Sequence, residues 1–172
     1  MLNPAISLGF VSRGVRSPSP ARVEGEDRGA AALRETTAVE IIGIGTDIVE
    51  CLRIARMIER HGEQFLRRVY TDREIRACNA YKRTTENFAA RWAAKEAVLK
   101  ALGGAPAGAI SWTEIEVRGT GTNGRPQVLL CGAIRERARG LRVADIHLSV
   151  AHCRAYATAN ALAVRDPAKA GG

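Results

Sequence analysis

The sequence predicts an α+β domain, helices packed on a mainly antiparallel sheet, in the order β-α-α-α-β-β-α-β-β. Three observations carry that expectation. Residues 87–103 form an alanine-rich run with helical spacing in the middle of the chain. Two strand-like runs, Ile41–Glu50 and His147–His152, lie on either side of it. Two short apolar runs flank Gly119-Thr-Gly121-Thr-Asn-Gly124, the pattern of a β-hairpin with a long turn.

Taken in order, residues 1–38 are rich in Arg, Ala, Ser, Pro and Gly and keep no period, which predicts a disordered N-terminal extension. They lack the apolar core of a secretory signal, and Glu24, Glu26 and Asp27 argue against a long transit peptide. The first strand runs from Val39 to about Thr46, and Cys51–His61 follows as a helix with Leu52, Ile54, Ala55, Met57 and Ile58 at its apolar positions. Thr71-Asp-Arg-Glu74 is a capping-box sequence that opens a second helix, reaching about Lys82. The third helix covers about Thr85–Leu102 and is stopped by Gly103-Gly104. Thr113–Arg118 and Pro126–Cys131 supply the hairpin strands, Ala133–Arg139 a short helix, and Asp145–Ala151 and Tyr156–Val164 the last two strands. Residues 167–172 read as a flexible tail, so the folded domain spans 39–166.

The third helix is the most informative element. Phe88, Trp92, Leu99 and Leu102 make one stripe, and Ala90, Ala93, Ala94, Ala97 and Ala101 cover much of the other side. A helix without a broad polar face is buried, and charges on it are costly unless paired or bound to something ionic. Here the charges fall into two i,i+4 pairs, Arg91 with Lys95 and Glu96 with Lys100. Three cations and one carboxylate suit a phosphate-rich ligand whose charge is partly held by a metal. An alanine-rich surface helix with a solvated Glu96–Lys100 pair fits the same spacing.

Composition narrows the classes. The chain has 172 residues and a net charge of +8, of which residues 1–38 hold one unit. Such an excess favours phosphate-bearing or acidic partners. Aromatic residues make up 5% of the chain, little for base stacking, and there is no zinc-finger, KH or RRM signature, so no nucleic-acid partner is expected. No run approaches the roughly 18–20 apolar residues that span a bilayer, so no membrane is expected either. Cys51, Cys78, Cys131 and Cys153 show no C-x-x-C spacing and read as scattered thiols of a cytoplasmic protein.

Gly43-Ile44-Gly45-x-Asp47, Trp92-Ala-Ala-Lys95-Glu96-Ala97-x-x-Lys100 and Ser149-x-x-His152, in that order over residues 41–164, resemble the 4′-phosphopantetheinyl transferases, specifically the small holo-(acyl-carrier-protein) synthase family. The resemblance implies that fold, and transfer of the phosphopantetheine arm of coenzyme A to a serine of apo-acyl carrier protein, in support of fatty acid biosynthesis. It implies Mg²⁺ held by Asp47 and Glu96, a hard cation on carboxylates. Asp47, Glu96, Lys100 and His152 become the catalytic candidates, and Arg91, Lys95, Lys100 and His152 the coenzyme A contacts. The proton acceptor stays open among Asp47, Glu96, His152 and a metal-bound water. Ser149 has no nucleophilic part, because the attacking serine belongs to the carrier, and Trp92 reads as core packing. Arg53, Arg56, Arg60 and Arg67 lie after Asp47 as a basic stripe, interrupted by Glu59 and Glu63, for the acidic carrier; a solvated helix face explains the same pattern. A homotrimer with sites at subunit interfaces is also implied. A coenzyme A-binding protein without turnover and a basic nucleic-acid-binding module are the other readings.

Overall fold

In the computed structural model, which describes residues 39–104, 111–119 and 125–165, β1 (Glu40–Glu50) runs directly into α1 (Cys51–Val69). Gly62, at φ 55° and ψ −135°, breaks α1 into two helical segments. That conformation favours glycine, and it explains why the apolar period ends at His61 while helix resumes beyond it. Next comes α2 (Asp72–Asn79), whose capping box forms as the sequence predicts: Glu74 N–H donates to Thr71 Oγ1 at 3.3 Å, and Thr71 N–H to Glu74 Oε2 at 2.9 Å. Helix α3 (Thr84–Ala101) has twelve of its eighteen residues buried, the outcome expected of a helix with no broad polar face.

A single 3-10 turn (Trp112–Glu114) leads into β2 (Ile115–Arg118), followed by β3 (Gln127–Leu130), α4 (Gly132–Gly140), β4 (Asp145–His152) and β5 (Tyr156–Arg165). The element order is the predicted one. The strands form two antiparallel sheets, β1-β5-β4 and the β2-β3 hairpin. The extension at 1–38, the tail at 167–172 and the hairpin turn at 120–124 lie outside the described residues.

What positions the site is a seam of small residues. In β1 one face carries Gly43, Gly45, Asp47 and Val49, which pair across the ladder with Ala163, Ala161, Ala159 and Ala157 of β5. Those four alanines are buried, as are Ala93, Ala97 and Ala101 of α3. A Cβ at Gly43 would run into the Ala101 carbonyl, and one at Gly45 into the Ala97 carbonyl, so backbone meets backbone there. The opposite face of β1 leaves Ile44 and Ile48 exposed, with Ile41 and Leu52 exposed at its two ends. Midway along α3, Trp92 stacks on both Phe65 and Trp112, at 6.0 and 5.5 Å between ring centroids, and is packing as expected.

Candidate active site

Asp47 stands on the inner face of β1, where the strand passes the C-terminal half of α3. The Lys100 ammonium donates to Asp47 Oδ1 at 2.8 Å and to the Thr46 carbonyl at 2.9 Å. Thr158 Oγ1 of β5 donates to the Asp47 carbonyl at 2.9 Å, so both neighbouring elements hold this strand end. One turn before Lys100, the half-buried Glu96 faces the same place. Burial pushes its carboxyl above the usual range, and the Asp47 charge adds to the rise against Lys100 and Arg53. Thus Asp47, Glu96 and Lys100, separated by up to 53 positions in sequence, converge on one place.

The two i,i+4 pairs of α3 point to different faces, because Lys95 and Glu96 are about 100° apart around the helix. Lys95 is not a phosphate contact in this arrangement: it is fully buried on the other side, with its ammonium 2.8 Å from Glu74 Oε2. It also donates to the Trp112 carbonyl at 3.0 Å and the Ile115 carbonyl at 2.5 Å, which uses all three of its protons. Glu74 in turn accepts from Thr71 N–H and from Val117 N–H, each at 2.9 Å. Arg91 shares that inward face. It is 3% exposed and donates to the Asn87 carbonyl at 3.3 Å, which removes it too from solvent-borne phosphate. Burial pushes the neighbouring Cys78 thiol up to about 12, so it stays neutral beside Arg91.

His152 is exposed at the end of β4, paired with Ala157 of β5. β5 lies between it and β1, so a single chain does not bring it to Asp47 and Glu96. Arg53, Arg56 and Arg60 are exposed on the first segment of α1, and Arg53 is close enough to act on the Glu96 charge. Arg67 lies past the Gly62 break and is tied to Glu63 at 2.7 Å, so it does not continue the stripe. Sequence reasoning named two residues here without finding these contacts. Arg53 as a neighbour of Glu96 follows only from how α1 leaves β1. Glu74 was legible as a cap, while its contact with Lys95 depends on the packing of α2 against α3.

Two adjacent carboxylates, one half-buried and disfavoured by the other's charge, suit a cation placed between them. Among the described residues no group of three or more His, Cys, Asp or Glu side chains gathers as a metal cage. A pair of carboxylates fits a hard dication that takes one or two of them and leaves its other positions to phosphate oxygens and water. Asp47 and Glu96 would be its ligands.

Comparison with known proteins places the chain in a family. The family model of the 4′-phosphopantetheinyl transferase superfamily matches residues 43–159. The holo-[acyl-carrier-protein] synthase of Koribacter versatilis is 45% identical over 122 residues, covering 71% of this chain and 97% of the relative. That of Moorella thermoacetica is 48% identical over 118 residues, covering 69% and 90%. Among solved structures, the holo-[acyl-carrier-protein] synthase of Neisseria meningitidis superposes with a TM-score of 0.64 at 31% identity, covering 72% of this chain and 98% of the other. The Bacillus anthracis holo-(acyl-carrier-protein) synthase in complex with CoA (3',5'-ADP) gives 0.59 at 32% identity, covering 74% and 99%.

Proposed function

This chain belongs to the 4′-phosphopantetheinyl transferase superfamily, within the holo-[acyl-carrier-protein] synthases, and from that membership we propose that it transfers the 4′-phosphopantetheine arm of coenzyme A to a serine hydroxyl of apo-acyl carrier protein. Holo-acyl carrier protein and adenosine 3′,5′-bisphosphate are the products. The observation that carries the proposal is the meeting of Asp47, Glu96 and Lys100 from β1 and α3. A nucleic-acid-binding module has no use for such a carboxylate pair.

In this mechanism Asp47 and Glu96 would hold Mg²⁺, which would supply positive charge to the pyrophosphate oxygens. Lys100 adds a mobile ammonium one turn away, free to turn from Asp47 to the phosphate on which charge develops. A carboxylate of the pair, directly or through water, accepts the serine proton. Arg53, Arg56 and Arg60 guide the acidic carrier towards this end of β1, chiefly by speeding encounter. We assign the transferase domain to 39–166, supported by the family match at 43–159 and by elements from Glu40 to Arg165.

A homotrimer belongs to the same proposal. Ile41, Ile44, Ile48 and Leu52 leave an apolar row exposed on β1 and the start of α1, which a second copy would cover. His152, on the far edge of the sheet, then serves a site completed between subunits. Size-exclusion chromatography with light scattering showing monomers alone would remove that part. The carrier is assigned to fatty acid biosynthesis and the enzyme to the cytoplasm, where its four unpaired cysteines are at home.

The test is to incubate the protein with coenzyme A, Mg²⁺ and apo-acyl carrier protein and to weigh the carrier by mass spectrometry. A gain of one phosphopantetheine, lost with chelator and in Asp47→Ala and Glu96→Ala, is expected. No gain with several carriers would leave a coenzyme A-binding role. Deleting residues 1–38 should not change the gain.

A further inference from the structure

Where β1 becomes α1, a buried cysteine packs against the backbone of a second one. Cys51 is the first residue of α1, four positions after Asp47, and its side chain is 3% exposed. Its backbone N–H donates to the Ala155 carbonyl at 2.8 Å, and its thiol donates to the Cys153 carbonyl at 3.6 Å. Cys153 directly follows His152 and is exposed. Its N–H donates to the Tyr156 carbonyl at 2.8 Å, closing the short turn between β4 and β5, while its sulfur accepts from Tyr156 N–H at 3.4 Å. The turn is thus wrapped against the Cys51 thiol, and it carries a second thiol on its solvent side.

The two sulfurs differ in chemistry. Amide N–H groups of Tyr156 and Ala155 lower the Cys153 pKa below the ordinary thiol range. Burial raises that of Cys51, with Glu86 and Cys153 adding to it. One is an accessible nucleophile, and the other is a protonated thiol held in contact with the same turn.

We propose that Cys51 and Cys153 form a reversible intramolecular disulfide, made by exchange with a low-molecular-weight disulfide, that ties α1 to the turn after His152. In the first step the Cys153 thiolate attacks one sulfur of the small disulfide. The S–S bond breaks, one small thiolate leaves, and Cys153 carries the other half as a mixed disulfide. Cys51 then gives its proton to water and attacks the Cys153 sulfur, releasing the second small thiol. Two protein thiols are oxidised by two electrons, and one small disulfide is reduced to two thiols. Closing the bridge requires the exposed Cys153 side chain to swing inward within its turn and the Cys51 sulfur to leave its packed position. Arg53 and His152, two residues from Cys51 and one from Cys153, are displaced with them. The bridge does not depend on the transferase reading; its effect on turnover does.

The experiment treats the reduced full chain with oxidised glutathione, blocks remaining thiols with iodoacetamide, and digests without reduction. A linked Cys51–Cys153 peptide is expected, with Cys78 and Cys131 alkylated. Turnover should fall about tenfold or more, in line with displacement of site residues, and return with dithiothreitol. Cys51→Ala and Cys153→Ser should lose both the linkage and the sensitivity. Glutathione remaining on Cys153 without a bridge, linkage between chains, or alkylation of both thiols would each overturn the proposal. A bridge with turnover unchanged would overturn its regulatory half. A reduced enzyme with no turnover would defeat the transferase reading, while the peptide map still decides the bridge.

Discussion

Replacing Lys95 by Met keeps the length of the side chain and removes the ammonium that joins α3 to α2 and β2. In the native chain Lys95 and Glu74 have fully buried side chains 2.8 Å apart. Burial pulls the Lys95 pKa down, and Glu74 opposes the fall, as expected of a buried pair that stays charged only together. The substitution strands the Glu74 carboxylate with two backbone N–H donors and leaves the Trp112 and Ile115 carbonyls without their Lys95 hydrogen bonds. Breaking a buried pair from one side costs about 3–5 kcal/mol. For a folded part of this size that lowers the melting temperature by roughly 10–20 °C. Glu74→Gln should cost a similar amount, and Lys95→Met/Glu74→Gln together should cost clearly less than the two added, by about 0.5–3 kcal/mol of coupling. Urea denaturation of the four proteins measures this. The decisive companion is the coenzyme A KM at a temperature where Lys95→Met is folded, expected to stay near the native value. A loss under about 1 kcal/mol with KM raised tenfold would refute the structural role and return Lys95 to phosphate binding.

Other expectations follow from the same geometry. Gly45→Ala drives a methyl into the Ala97 carbonyl, so β1 must withdraw from α3; stability should fall by about 1–3 kcal/mol and turnover by about 100-fold, read by melting curves and initial rates. Arg56→Ala/Arg60→Ala should raise KM for the carrier and flatten its salt dependence without changing KM for coenzyme A, measured by initial rates across a salt series. Glu116 is pushed up by burial, yet hydrogen bonds from Arg118 and Thr71 hold it below the usual carboxylate range. Its contribution is therefore present above the ordinary carboxylate pKa and lost as pH falls through the lowered folded value. Urea titrations of native and Glu116→Gln protein should differ by up to about 1 kcal/mol at neutral pH and converge in acid.

The elements were legible because their signals are local. Thr71 and Glu74 announce a cap wherever they lie, and α3 lacks a broad polar face, which favours burial although its spacing also fits a surface helix. Asp47 and Glu96 could be paired from the motif match, and their convergence across β1 and α3 follows the Gly43–Gly45 and Ala97–Ala101 seam. Lys95 and Arg91 were misplaced for a related reason. Four charges on one helix look alike in sequence, while their roles depend on which face turns towards α2, and that is decided by Glu74, twenty-one positions upstream. The helical resumption after Gly62 was hidden because a positive-φ glycine resets the period, leaving a second short segment too brief to read alone.

The two carboxylates sit on elements of unequal permanence. Glu96 belongs to α3, packed on both sides and the last place expected to open, whereas Asp47 belongs to β1, an edge strand of its sheet. An edge strand is held by a neighbouring strand on one side only. A cation shared by Asp47 and Glu96 would act as a further clasp between that strand and the buried helix. Its signature would be slower amide exchange along β1, with little change in α3.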